Sequence, residues 1–328
     1  MAQAFAGDPE GSAAERASYE SSRRNVLALM FCLMVGTMGL PHLLTRFYTT
    51  PSVAESRASV AWSLLFMAVL YVSAPALAVL VKYEVLTQLV GQHFDALPGW
   101  LAQWSRLDPS LVSVQDVNRD GILQFAELRL GADIVMLATP ELGGLPYVVS
   151  GLVAAGGLAA ALSTADGLLL TIGNAIARDI YQREWARDSS PGRLVILSKF
   201  VLLTSALAAA YVAAQKPGEI LSLVAAAFSL AAAAFVPAMV LGIFTRSVNS
   251  AGAIAGMLSG LGVTVYYMVS QLPAFRAAFG LSAAHDLWFG IQPISAGIFG
   301  VPCGFLVTWL VSWLTTGRTA DAQRSNHA

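Results

Sequence analysis

Charge is what this chain has least of. Charged residues make up 12% of it, where a soluble domain carries about 25%. The formal net charge is −1, so there is no basic field to attract nucleic acid. Cysteine is almost absent. Cys32 and Cys303 both lie inside apolar runs, which excludes a disulfide framework or a cysteine metal site and leaves them as small core hydrophobes. No Walker A loop for ATP hydrolysis and no nucleophile–base pairing is evident, so no enzyme is expected. A secretory signal peptide is excluded too, because Asp8, Glu10, Glu15 and Glu20 interrupt any apolar h-region.

What is abundant is apolar sequence, 56% of the chain, and it falls into runs long enough to cross a bilayer. Seven spans are expected, at Asn25–Thr45, Ser59–Lys82, Leu145–Arg178, Val195–Ala214, Ile220–Phe244, Ala251–Ser270 and Phe289–Thr315. The third and seventh exceed the hydrocarbon thickness, which predicts tilt or a break in each. Gly252, Gly256 and Gly260 form a small-xxx-small ridge on the sixth. Pro237 and Pro302 are expected to kink their helices, and Trp288, Trp309 and Trp313 suit interfacial belts. The fold class is therefore an all-α membrane protein of about seven transmembrane helices. Its expected layout is a polar segment over 1–24, two spans over 25–82, a connection over 83–144, five spans over 145–316 and a polar, disordered tail over 317–328.

Basic residues orient these spans. Arg46 and Arg57, then Arg183, Arg187 and Arg193, then Arg246, then Arg318 and Arg324 occupy alternate connections, which predicts that those ends are cytoplasmic. The opposite connections hold Asp95, Asp108, Asp116, Asp120, Glu127, Asp133, Glu141, Glu219 and Asp286. The same assignment sets residues 1–24 and 83–144 outside. An external N-terminal segment ending in Arg23 and Arg24 has no means of export of its own, so helices are expected to precede it in a longer product.

The stretch from Glu141 to Tyr181 carries the most chemistry. Ala160, Ser163 and Thr164 stand at i, i+3 and i+4, so a carbonyl and two hydroxyls can converge on one helical face. Oxygen ligands of that kind suit a small hard cation. Asp166 puts a carboxylate in the span, at a cost of a few kcal/mol unless it faces a cavity or a partner. It lies three residues after Ser163 and can couple a proton or an ion there. The alternative is that the hydroxyls bond back to i−4 carbonyls and Asp166 pairs with an arginine.

This stretch closely resembles the signature helix of the sodium:solute symporter family, in the elements Ala159-Ala160-Ala161, Ser163-Thr164 and Asp179-Ile180-Tyr181. The first span is similar to the broken sixth core helix of that family's cation/acetate branch, in Gly39-Leu40-Pro41-His42 followed by Arg46-Phe47. The resemblance runs from about Asn25 to about Tyr267. It implies part of a LeuT-like inverted-repeat transporter, with solute and ion sites at the bilayer midplane. It also implies that Ala160, Ser163 and Thr164 supply one half of a sodium site. The other half, carbonyls on an unwound first core helix, is expected to have no counterpart here, because the resemblance implies that core helices one to five precede this stretch.

The solute wall is then expected at the breakpoint of the first span, Thr37, Met38, Gly39, Leu40, Pro41 and His42. Gly36 and Gly39 are expected to loosen the helix there, and Pro41 removes a donor. A plain proline kink is the alternative. His42 either relays protons or packs.

The implied function is sodium-coupled symport of a small organic anion, acetate or a related monocarboxylate, in a bacterial inner membrane. Proline or a sugar is an alternative solute. A transport-inactive fragment or a calcium-responsive membrane module is an alternative of another class. The expected partners are the solute, the lipid bilayer and the missing N-terminal helices, with no nucleic acid.

A second motif stands apart from all of this. Residues 116–127, DVNRDGILQFAE, match an EF-hand calcium loop at each diagnostic position. Asp116, Asn118 and Asp120 offer side-chain oxygens, Gly121 permits the turn, Ile122 offers its carbonyl and Glu127 can bind bidentately. Leu101–Leu107 and Leu128–Leu137 are expected as its flanking helices. The alternative is an Asx-rich turn that binds nothing.

Overall fold

The computed structural model describes residues 6–47, 49–131, 134–187, 189–216, 218–280 and 287–325. Asp133 and Asp286, two of the acidic residues used for orientation, lie outside the described residues. Seven helices among them are long and apolar enough to cross a membrane. The chain folds as two compact units, one formed by 1–44 with 220–328 and the other by 45–219.

In the first unit, α1 (Ala13–Gly39) begins twelve residues before the expected span, so the second half of the polar N-terminal segment is helical. The cause is a capping box: Ser12 Oγ accepts from Glu15 N at 3.4 Å, and Glu15 Oε2 accepts from Ser12 N at 2.7 Å. α1 stops at Gly39, Leu40 is extended (φ −75°, ψ 112°), and α2 (Pro41–Phe47) restarts the helix. Proline at the first position of α2 disfavours the helical region for the residue before it, so the break at Leu40 is written into the sequence.

The second unit supplies α3–α7, ahead of the remaining first-unit helices in the sequence. There, α3 (Val53–Glu84) leads into a short π-helical turn (Val85–Leu89). α4 (Gly99–Leu107), β1 (Val112–Val114), β2 (Leu128–Leu130) and α5 (Val135–Leu142) make up the long connection. β1 and β2 pair antiparallel, with Val112 opposite Leu130 and Val114 opposite Leu128. α6 (Tyr147–Asn174) continues as a π-helical stretch (Ala175–Trp185), and α7 (Pro191–Ala214) follows. The connection has its own core, in which Val81, Leu89, Leu101, Val112, Leu123 and Ile134 are all buried. By contrast α6 and α7 bury none of their apolar windows within the chain.

Back in the first unit, α8 (Ile220–Phe244), α9 (Ser250–Ser270), α10 (Pro273–Ala278) and α11 (Gly297–Ser325) complete the fold. Two 3-10 turns, Trp288–Gly290 and Pro293–Ser295, precede α11. The seventh run is thus broken, as its length predicted. α11 runs on to Ser325, so residues 317–325 are helical and not the disordered tail expected from their polarity. α9 and α11 meet through glycine. A Cβ on Gly260 would lie 2.3 Å from the Ala233 carbonyl oxygen, and one on Gly300 would lie 2.6 Å from the Gly260 carbonyl oxygen. The small-residue ridge on α9 is therefore a packing seam.

Candidate functional site

The breakpoint of α1 sits against α8. A Cβ on Gly36 would fall 2.5 Å from the Phe228 carbonyl oxygen, and one on Gly39 would fall 2.7 Å from that of Ala231. Both glycines are buried. This corrects the expectation that they loosen the helix: they let two backbones touch, and the helix ends at Leu40 because of Pro41. Thr37 donates its hydroxyl back to the Leu33 carbonyl at 2.7 Å, Met38 is about half-exposed and His42 is buried. Arg46 and Phe47 carry side chains that lie outside the described residues.

Two polar anchors on α1 were not foreseen. Asn25 donates to the Gly290 carbonyl at 2.9 Å and accepts from Gln292 N at 2.7 Å. Cys32 donates to the Ser295 carbonyl at 3.4 Å, and Ser229 of α8 donates to that of Ile294 at 2.6 Å. Together they hold the turns before α11 against α1 and α8. Beside them lies an open cleft of about 430 Å³, lined in part by Ser18, Asn25, Leu29, Gln292, Ile294 and Ser295. The signal available in the sequence was an asparagine at the border between polar and apolar residues, which has too many meanings to be specific.

On α6, in the other unit, Ala160, Ser163, Thr164 and Asp166 are all exposed. Thr164 donates to the Ala160 carbonyl at 3.2 Å, which is the back-bonding alternative raised by the spacing. That bond uses the hydroxyl hydrogen and leaves both lone pairs of the oxygen to accept or ligate. Among the described residues Asp166 makes no salt bridge. Asp179, Ile180 and Tyr181 fall on the π-helical stretch after α6.

The loop over 116–127 folds around its acidic residues. Asp116, Asp120 and Glu127 each bring a carboxylate oxygen to within 4.8 Å of the others. Gly121 takes a positive φ of 72°, which glycine adopts without strain. The expected helical flanks are half right. α4 precedes the loop, but Leu128–Leu130 is a strand, because it completes the ladder with β1 before α5 begins.

A separate ion pair ties this connection to the end of α7: Lys216 donates to Asp108. Lys216, with the Ser110 hydroxyl and N–H, holds the Asp108 carboxyl at about 2, below its ordinary 3.8. A depressed carboxyl contributes stability above its ordinary value and loses it as pH falls through the folded one. The melting difference between the protein and its Asp108→Asn variant is therefore expected to be constant above about pH 5 and to shrink between about pH 4 and 2. A difference that does not change over that range would show that the pair carries no stability.

Comparison with known proteins finds a family model and relatives that match this chain. Residues 135–260 match the model of the sodium:solute symporter family. The chain is 54% identical over 307 residues to an uncharacterized symporter of Cupriavidus necator, covering 94% of this chain and 44% of that protein. It is 25% identical over 286 residues to a monocarboxylic acid transporter of Corynebacterium glutamicum, covering 87% of this chain and 45% of that protein. It is 28% identical over 244 residues to a sodium/proline symporter of Haemophilus influenzae, covering 73% and 41%. The chain thus spans about half the length of the curated relatives it matches.

Proposed function

Because this chain belongs to the sodium:solute symporter family, which its residues 135–260 match, we propose that it serves sodium-coupled uptake of a short monocarboxylate. The observation that carries the reading is the exposed face of α6. There Ala160, Ser163 and Thr164 present a carbonyl and two hydroxyls on a helix that buries nothing of its apolar window within the chain. Such a face needs a partner to complete an ion site. In the relatives more than half the length lies outside the match, and the missing ligands are proposed to come from there. The break at Leu40 supplies the second element. Irregular backbone at membrane depth survives where it lines a cavity, so Thr37 to His42 are proposed as one wall of the solute path.

Sodium follows from the family. The monocarboxylate is taken from the transporter of Corynebacterium glutamicum and from the motif over Gly39–His42. The sodium/proline symporter favours proline as the second reading. The distribution of arginine sets the connection over 83–144 outside a bacterial inner membrane in this reading. The test is uptake of labelled acetate by vesicles containing the product of the complete reading frame around Met1. An inward sodium gradient is expected to raise initial uptake at least tenfold over potassium, with competition by propionate and not by proline. Uptake that is equal in the two gradients would overturn the sodium mechanism, and competition by proline alone would exchange the solute.

A further inference from the structure

The loop over 116–127 is more than a turn between strands. Glu127 is 8% exposed, and its two oxygens accept from the backbone N–H groups of Val117 (2.9 Å), Asn118 (3.4 Å) and Gln124 (3.0 Å). Asp116 Oδ2 accepts from Gly121 N at 3.1 Å. Its other oxygen, Oδ1, is shut off from solvent and accepts no hydrogen bond. Arg119 and Arg129, the nearest basic residues in sequence, are exposed, and neither forms a salt bridge among the described residues. Asp116, Asp120 and Glu127 thus each offer a carboxylate oxygen within 4.8 Å of the others, one Asp116 oxygen is buried without a hydrogen-bond partner, and none of the three pairs with a cationic side chain among the described residues. Like charges at such separations repel strongly, and a buried ionised carboxylate is costly unless it is paired or binds a metal.

The donor set says which metal. Carboxylates, an amide and the Ile122 carbonyl are hard oxygen ligands, and their number and spacing suit calcium better than the smaller, strictly octahedral magnesium. The backbone around the loop also leaves the right group available. The Gly121 and Leu123 carbonyls accept from Phe94 N (3.0 Å) and Gly91 N (2.8 Å), while that of Ile122 accepts nothing among the described residues. Leu123, the next residue, is fully buried in the core that also holds Val81 and Leu89 at the end of α3 and Ala138 and Leu142 of α5.

We propose that Asp116, Asn118, Asp120, the Ile122 carbonyl and Glu127 bind calcium, and that the ion braces the connection between α3 and α6 through Leu123. The site does not depend on the transport reading. Its affinity falls in the range of extracellular modules, about 0.1–1 mM. The test is calorimetric titration and thermal melting of the purified full chain in detergent, with calcium chloride and with magnesium chloride. Calcium is expected to bind one ion per chain and to raise the melting temperature, with magnesium at least tenfold weaker. Glu127→Gln is expected to lose at least tenfold in calcium affinity. If that buried variant does not fold, the exposed Asp120→Asn serves, with the same loss expected. Absence of binding at about 10 mM calcium, equal binding of magnesium, or unchanged affinity in a folded variant would each overturn the proposal.

Discussion

Gly260→Ala is expected to remove most of the folded protein recovered in detergent. The added Cβ meets two backbones at once: the Ala233 carbonyl oxygen of α8 at 2.3 Å and the Gly300 carbonyl oxygen of α11 at 3.0 Å. Flexible side chains can step aside, but carbonyls in helices move only with the helix. Overpacking of this kind costs roughly 1–3 kcal/mol and occasionally more, and here three helices share the seam. The control is on the same helix. Gly262 has open space where its Cβ would go, so Gly262→Ala is expected to melt like the parent. Thermal melting of the two variants side by side is the measurement. Equal melting temperatures would show that the seam yields and that the glycines of α9 are not what holds α8, α9 and α11 together.

Asp166→Asn should act in the opposite way, leaving the fold alone and striking the coupling. Asp166 is exposed on α6 and makes no salt bridge among the described residues, so the isosteric amide disturbs no internal contact. A carboxylate inside a span is retained at a cost of a few kcal/mol, which points to a task. It stands three residues from Ser163, within reach of the face proposed to hold the ion. The variant is expected to reach the membrane at parental levels, with the stimulation of acetate uptake by sodium reduced at least tenfold. Parental stimulation would remove Asp166 from the coupling, and loss of the protein from the membrane would make it a residue of assembly.

How much of this was legible beforehand depends on the range of the cause. The α8 span, Ile220–Phe244, and the start of α9 within one residue were fixed by local hydropathy. The break at Leu40 followed from Pro41 alone. The carboxylate cluster followed from the spacing of Asp116, Asp120 and Glu127 in the loop motif. What could not be read is what depends on a second segment. Leu128–Leu130 looks helical until Val112–Val114 offers it a ladder. Gly36 and Gly39 look like weak points in a helix until Phe228 and Ala231 occupy the space their side chains would need. Likewise Asn25 gains its meaning only from Gly290 and Gln292, which lie 265 and 267 residues further along the chain. The Ala160, Ser163 and Thr164 face was legible as a face from its i, i+3, i+4 spacing.

The contact at Gly36 and Gly39 also has a mechanical meaning. Helices that touch backbone to backbone have no side-chain cushion between them in which to slide or roll, so a push on α1 is delivered to α8 at full stroke. Compliance has to sit elsewhere. Leu40, extended between the two helices with its carbonyl accepting from Leu43 N and Leu44 N, is the joint between the stiff shaft of α1 and the short arm of α2. A load arriving at Pro41–Phe47 would therefore bend the chain at a single residue, while α1 and α8 travel as one beam.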